Sequence, residues 1–87
     1  MSGTPSAESS AALTLADLRP GEIGEVSAYR RAREPLTQRL MQLGVLRGRT
    51  VEIVRRAPAG DPIEVLLAGS RLLLRRGEAA RIEVLTR

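Results

Sequence analysis

The stretch Ala57-Pro58-Ala59-Gly60-Asp61-Pro62-Ile63-Glu64-Val65 decides the fold of this 87-residue chain. It sets prolines, a glycine and an aspartate between two apolar runs, which predicts a stiffened turn joining two strands. Just upstream, Leu43-Gly44-Val45-Leu46-Arg47-Gly48-Arg49-Thr50 reads as a helix stop running into a strand. Just downstream, Leu67-Ala68-Gly69-Ser70-Arg71-Leu72-Leu73-Leu74 reads as a hairpin. This order of turns predicts a mainly β fold, a small barrel of about five strands with one inserted α-helix and short helical turns. Such a barrel offers surfaces for contact rather than a chemical pocket.

The hairpin fixes its own register. Ile63, Val65 and Leu67 alternate with Glu64 and Leu66. With Ala68-Gly69 as the turn, Leu67 opposes Ser70, Val65 opposes Leu72 and Ile63 opposes Leu74, all on the core face. Leu66 and Leu73 then fall on the other face, beside Glu64 and Arg71. Thr50 to Arg56 forms a strand with Val51 and Ile53 inward. Gly77 to Ala80 makes a short turn, and Ile82 with Val84 closes the last strand.

Further upstream, Pro35 to Leu43 reads as a helix. Pro35 suits the first helical position, where its missing N–H costs nothing, and Glu34 sits at the positive end of the dipole. Leu36, Leu40 and Leu43 form an inward stripe, with Met41 beside it. Gly44 takes the left-handed position after the helix, which brings Val45 against Leu40. Ile23 to Tyr29 is the first strand. Ile23 and Val26 lie on opposite faces of an ideal strand, so a bulge at Gly24 is expected to turn both inward. Leu15 and Leu18 share one helical turn, and Arg30 to Glu34 is a polar connection without an apolar anchor. Residues 1–13 read as a disordered tail, too polar to bury, and residues 14–87 as one barrel domain.

Composition removes most chemistry. The chain has no cysteine, no histidine and no lysine, and Tyr29 is its one aromatic residue. Thiolate sites, disulfides and imidazole bases are therefore excluded, and no serine has a base nearby in sequence. The expectation is a protein that is not an enzyme, with no catalytic residue. Asp61 reads as a turn aspartate bonding local backbone, with a partner contact as the alternative. Glu52, Glu64 and Glu83 lie in strands with outward directions. They read as solvated carboxylates, with a weakly held divalent cation as the alternative. Fourteen arginines against ten acids give a net charge of +4. Most arginines are interleaved with glutamates, as a solvated surface requires. An arginine-driven nucleic-acid-binding barrel is the alternative, and the shortage of aromatic stacking platforms counts against it. No run of about 18 apolar residues exists to span a membrane. Apolar residues exceed what one small core uses: Leu66, Leu73, Val54 and Leu85 fall off the core face. They either line the far side of a curled sheet and lie under the helix, or form a docking patch on the helix Pro35–Leu43 or the outer hairpin face, with Met41, Leu66 and Leu73 rimmed by Arg39, Arg71 and Glu64, as the expected partner-binding site.

In its ordered motifs the chain resembles the ferrous iron transport protein A family, FeoA, from about Thr14 to Leu85. The likeness rests on Leu15 with Leu18-Arg19-Pro20-Gly21-Glu22-Ile23-Gly24-Glu25-Val26, and on Leu36 with Arg39-Leu40-Met41-Gln42-Leu43-Gly44-Val45. It continues through Gly48, Val51-Glu52-Ile53, Ala57 to Ile63, and Ala79 with Ile82-Glu83-Val84. Arg47 stands where the family often has proline, which relaxes that turn. The resemblance implies an SH3-like barrel acting as a small cytoplasmic accessory of bacterial ferrous iron uptake. It implies FeoB, a large membrane permease with a cytosolic G-protein domain, as the partner, and contact with the membrane only through that partner. It also implies transition-metal binding, and it leaves a homo-oligomer open.

Overall fold

The computed structural model describes residues 12–86. Strand β1 is Leu13–Thr14, followed by a 3₁₀ turn at Leu15–Asp17 and strand β2 at Ile23–Tyr29. Helix α1 spans Pro35–Gln42, and strands β3, β4 and β5 span Thr50–Arg56, Ile63–Leu67 and Ser70–Leu74. A single-turn helix α2, Arg76–Ala79, leads into β6, Ile82–Thr86. All six strands form one antiparallel sheet in the order β1-β6-β2-β3-β4-β5. The mainly β architecture with one longer helix matches the expectation. The additional strand is β1, whose two residues pair with Val84 and Glu83 and carry no alternation to read. The tail expected over residues 1–13 lies outside the described residues up to residue 11, and Leu13 already belongs to β1.

One apolar cluster draws on every element from the 3₁₀ turn to β6. It includes Leu15, Leu18, Val26, Leu40, Ile53, Ile63, Val65, Leu74 and Ile82, each at 2% exposure or less. Burying each such side chain contributes about 1.5–3 kcal/mol. The hairpin register is as the alternation required: Leu67 opposes Ser70, Val65 opposes Leu72 and Ile63 opposes Leu74. Leu72 is half-buried against the core rather than enclosed by it.

Two bulges shape the sheet, and neither lies at Gly24. Ile23 points outward, correcting the expectation that a bulge turns it in. Gly24 is itself the inward residue, because a Cβ there would lie 2.9 Å from the Val84 Cβ and 3.0 Å from the Leu18 Cδ1. The bulge falls at Ser27, between the pairs Val26–Val84 and Ala28–Glu83. It shifts the alternation so that Tyr29, three residues after Val26, faces the core opposite Ile82. The second bulge falls at Val54 and brings Arg56 to the parity of Ile53, opposite Ile63.

Helix α1 stops as predicted. Gly44 has φ +101°, the Val45 N–H donates to the Leu40 carbonyl at 3.1 Å, and the Gly44 N–H donates to the Met41 carbonyl at 3.0 Å. Both bonds define a Schellman stop. The expected stripe is corrected in its last member. Leu40 is buried, Leu36 is half-buried and Leu43 is 47% exposed. Leu43 is the cap residue, where the chain turns, and the turn delivers Val45 to the core instead. The unforeseen inward residue is Thr37, fully buried. Its hydroxyl donates to the Arg30 carbonyl and accepts from Arg81 Nη1, both at 3.1 Å. These bonds anchor the polar connection that has no apolar anchor.

A candidate docking surface

The loop 57–62 and the end of β5 meet α1 and α2 along one side of the barrel. The turn closes through the Gly60 N–H to the Ala57 carbonyl and the Ala57 N–H to the Pro62 carbonyl. Asp61 does not bond its own turn. Its Oδ1 accepts from the Arg76 N–H at 3.0 Å, at the start of α2. Glu78 accepts from the Arg75 N–H at 2.7 Å. These bonds fix a groove of about 520 Å³ lined by Arg39, Leu43, Pro62, Leu73 and Arg75, with Asp61 and Glu78 in its wall.

Leu73 is 68% exposed and stands on a ridge. On its other flank lies a second concavity of about 280 Å³, walled by Arg55, Pro58, Pro62 and Glu64. Leu43 separates the first groove from a third, of about 180 Å³, that follows Ser70 and Leu72 past Arg49. Of the residues expected from sequence to meet a partner, Arg39 and Leu73 therefore share one groove. Arg71 stands beside them through Glu64, whose carboxylate holds Arg55 at 2.8 Å and Arg71 at 2.9 Å. Met41 and Leu66 are half-buried and line none of these three grooves. Leu43 and Arg75 are the lining residues that sequence reasoning missed. Leu43 was assigned to the core by its spacing, and nothing in the sequence marks Arg75 apart from its neighbours.

The carboxylates here are occupied. The hydrogen bonds from Arg55 and then Arg71 hold Glu64 below the usual carboxylate range. Glu83 pairs with Arg30 at 3.1 Å, and Glu52 sits opposite Leu66 and Ile23. Of the three acids considered for a cation, Glu64 and Glu83 are thus held by arginines, and Glu52 makes no ion pair among the described residues. Among the described residues no three acids come together as metal ligands. Nor are the arginines all surface charge. Arg56 turns under the sheet to donate to the carbonyls of Ala16, at 2.6 Å, and Leu18.

Comparisons with known proteins agree with this architecture. The FeoA protein of Chlorobium tepidum is 43% identical, with a TM-score of 0.75 over 85% of this chain and 70% of that one. Stenotrophomonas maltophilia FeoA, complexed with zinc and described as a procaryotic SH3 domain protein, is 31% identical, with a TM-score of 0.76 over 85% and 91% of the two chains. A FeoA-like protein from Clostridium acetobutylicum is 29% identical, with a TM-score of 0.80 over 86% of each chain. This chain has neither histidine nor cysteine, and its described acids form no cluster of three. The family model for the FeoA domain matches residues 13–85, nearly all of the described structure, and with an SH3-like sheet built round one core the chain belongs to the FeoA domain family.

Proposed function

We propose that this chain is a non-enzymatic, cytoplasmic accessory of ferrous iron uptake that docks on a FeoB-type membrane transporter and modulates it. The observation that carries the reading is Leu73: a large apolar side chain, 68% exposed, between two grooves and ringed by arginines. A solvated apolar centre with a polar rim is the anatomy of a docking surface. Its second apolar member is Leu43, 47% exposed at the far side of the same groove. Family membership supports the iron-uptake context, and the Stenotrophomonas relative is itself described in terms of ferrous iron transport activation. Among the described residues no helix is long and apolar enough to cross a membrane, and the proposal assigns membrane contact to the partner.

The nucleic-acid reading loses support from the same geometry. Arg30, Arg55, Arg71 and Arg81 are paired with carboxylates. The Tyr29 hydroxyl donates to the Val45 carbonyl at 2.9 Å, which holds the ring half-buried rather than free to stack on a base.

The test is Leu73→Glu in the full chain, expressed with the transporter. The thermal melt is expected to match wild type, since an exposed side chain away from the core changes stability by about 0.5 kcal/mol or less. Co-purification of the transporter is expected to fall, together with growth on limiting ferrous iron. Unchanged ferrous uptake on deleting the gene, with no transporter captured by wild type, would overturn the reading.

A further inference from the structure

We propose that the free edge of β5 recognises an extended segment of a partner protein, alternating acidic and apolar residues, by taking it on as an added strand. The partner's identity rests on the docking reading above; the chemistry of the recognised segment rests on the edge alone.

Among the described residues β5 is the last strand of the sheet and pairs only with β4. Its hairpin turn has both central residues in the left-handed region, Ala68 at φ 51° and Gly69 at φ 82°. In such a turn the flanking residues exchange hydrogen bonds, and bonded and non-bonded pairs then alternate. Ser70, Leu72 and Leu74 therefore spend their backbone groups on β4. Arg71 and Leu73 turn theirs away from it. Among the described residues no hydrogen bond reaches the N–H or C=O of Arg71 or Leu73. Ser70 to Leu74 thus offers about 17 Å of unpaired edge, enough for a short extended peptide.

The flanks of the edge select the peptide. On one side run the two grooves that meet at Leu43, and on the other lies the concavity beside Leu73. An added strand sends alternate side chains to these two sides. The apolar residues, all on one side, fit against Leu73. Charge selects the rest. Arg39, Arg49 and Arg75 line these grooves and make no ion pair among the described residues. Asp61 and Glu78 already hold backbone N–H groups, and Glu64 holds two arginines. A bond from a neutral N–H leaves a carboxylate its charge, but the three linings together hold five arginines against three carboxylates, so the net charge along the edge is positive and the complementary segment is acidic. A second copy of this chain fits less well, because it would bring the same excess of arginines to the same edge.

The experiment uses the ¹⁵N-labelled full chain and three synthetic heptapeptides. One alternates Glu with Leu, one alternates Lys with Leu, and one is the acidic sequence N-methylated at alternate amides. The acidic peptide is expected to shift the amides of Arg71 and Leu73 and to slow their hydrogen exchange. The lysine peptide is expected to bind at least about tenfold more weakly, through charge. The N-methylated peptide should lose a similar factor through its missing donors. Leu73→Pro removes an outward N–H that the ladder does not use, which an edge strand tolerates, and should also lose about tenfold. If that variant does not fold, the N-methylated peptide still decides the matter. Arg75→Glu, at the exposed end of the edge, should reverse the preference between the acidic and lysine peptides. Equal binding of the N-methylated peptide, shifts confined to another face, tighter binding of an oligothymidine, or concentration-dependent pairing of β5 with itself would each overturn the proposal. So would slowed exchange of both amides in the free chain, which would mean that its own residues already cover the edge. Transporter capture that survives Leu73→Pro undiminished would reject the edge while sparing the docking reading. Peptide binding without transporter capture would do the reverse.

Discussion

The two ends of the sheet are finished differently. At one end β1 is only Leu13–Thr14, and Asp17 takes both the Thr14 N–H, at 2.9 Å, and its hydroxyl, at 3.2 Å. Arg56 binds the carbonyls just beyond, at Ala16 and Leu18. A strand this short, tied down by side chains, gives a second chain little to pair with. At the other end β5 runs from Ser70 to Leu74, with the exposed Leu73 as its penultimate residue and grooves on both sides. Both edges belong to one core, yet only one retains the features that natural sheets usually suppress. On the proposed reading recognition belongs to the β5 end, and substitutions should separate it from the fold.

The largest effect breaks the β5 end from within. Val65→Asp places an unpaired charge in the core opposite Leu72. Its cost, above about 4 kcal/mol, is most of what a small domain has. Loss of dispersed amide signals is the expected readout. Next, Arg56→Met keeps the stem of the side chain but leaves two loop carbonyls without their donor. It should cost about 1–3 kcal/mol and speed hydrogen exchange around β1 while leaving β5 unchanged. Faster exchange at β5 instead would show that the two ends are not independent. Ala68→Asn works in the opposite direction. The left-handed position at φ 51° is strained for alanine and tolerated by asparagine, so a gain of about 0.5–1 kcal/mol in a denaturant melt is expected, with the edge still open.

The smallest effect is a pH response at Glu64, whose pKa in the fold lies below the ordinary 4.5. Above that value both folded and unfolded chains carry the carboxylate ionised, and its contribution is fully present. Below it the unfolded chain takes up the proton first, so stability falls with pH until the folded group also titrates. Glu64→Gln should flatten that part of the acid limb, and an unchanged slope would remove Glu64 from the account of the outer face.

The same division explains what could be read in the sequence. The hairpin register, the helix stop at Gly44 and the turn at 57–62 follow from local alternation and turn chemistry, and each was legible. The bulges were not. A bulge at Ser27 or Val54 is set by where the neighbouring strand must re-register, and neither residue advertises it. Gly24 drew attention as a bulge because a glycine in a strand has two readings, and the close approach of Val84 was the correct one. Leu43 was misplaced because helical spacing continues formally to a residue that the cap has already turned out of line. In the docking surface, Leu73 and Arg39 were visible as surplus apolar and basic positions. Their convergence with Leu43 and Arg75 depends on how α1 and α2 meet the end of β5, a long-range fact that no local pattern contains.

The bond from Tyr29 to the Val45 carbonyl also makes this protein its own optical instrument. With no tryptophan to accept its excitation and no second tyrosine to dilute it, all near-ultraviolet emission comes from one phenol. That phenol sits at the helix stop, whose Leu43 and Gly44 border the groove beside β5. Opening of the stop should change the emission, and so should a peptide at the β5 edge that disturbs the stop. The intrinsic fluorescence of the unmodified chain can thus report on one closure without a dye, a tag or a substitution.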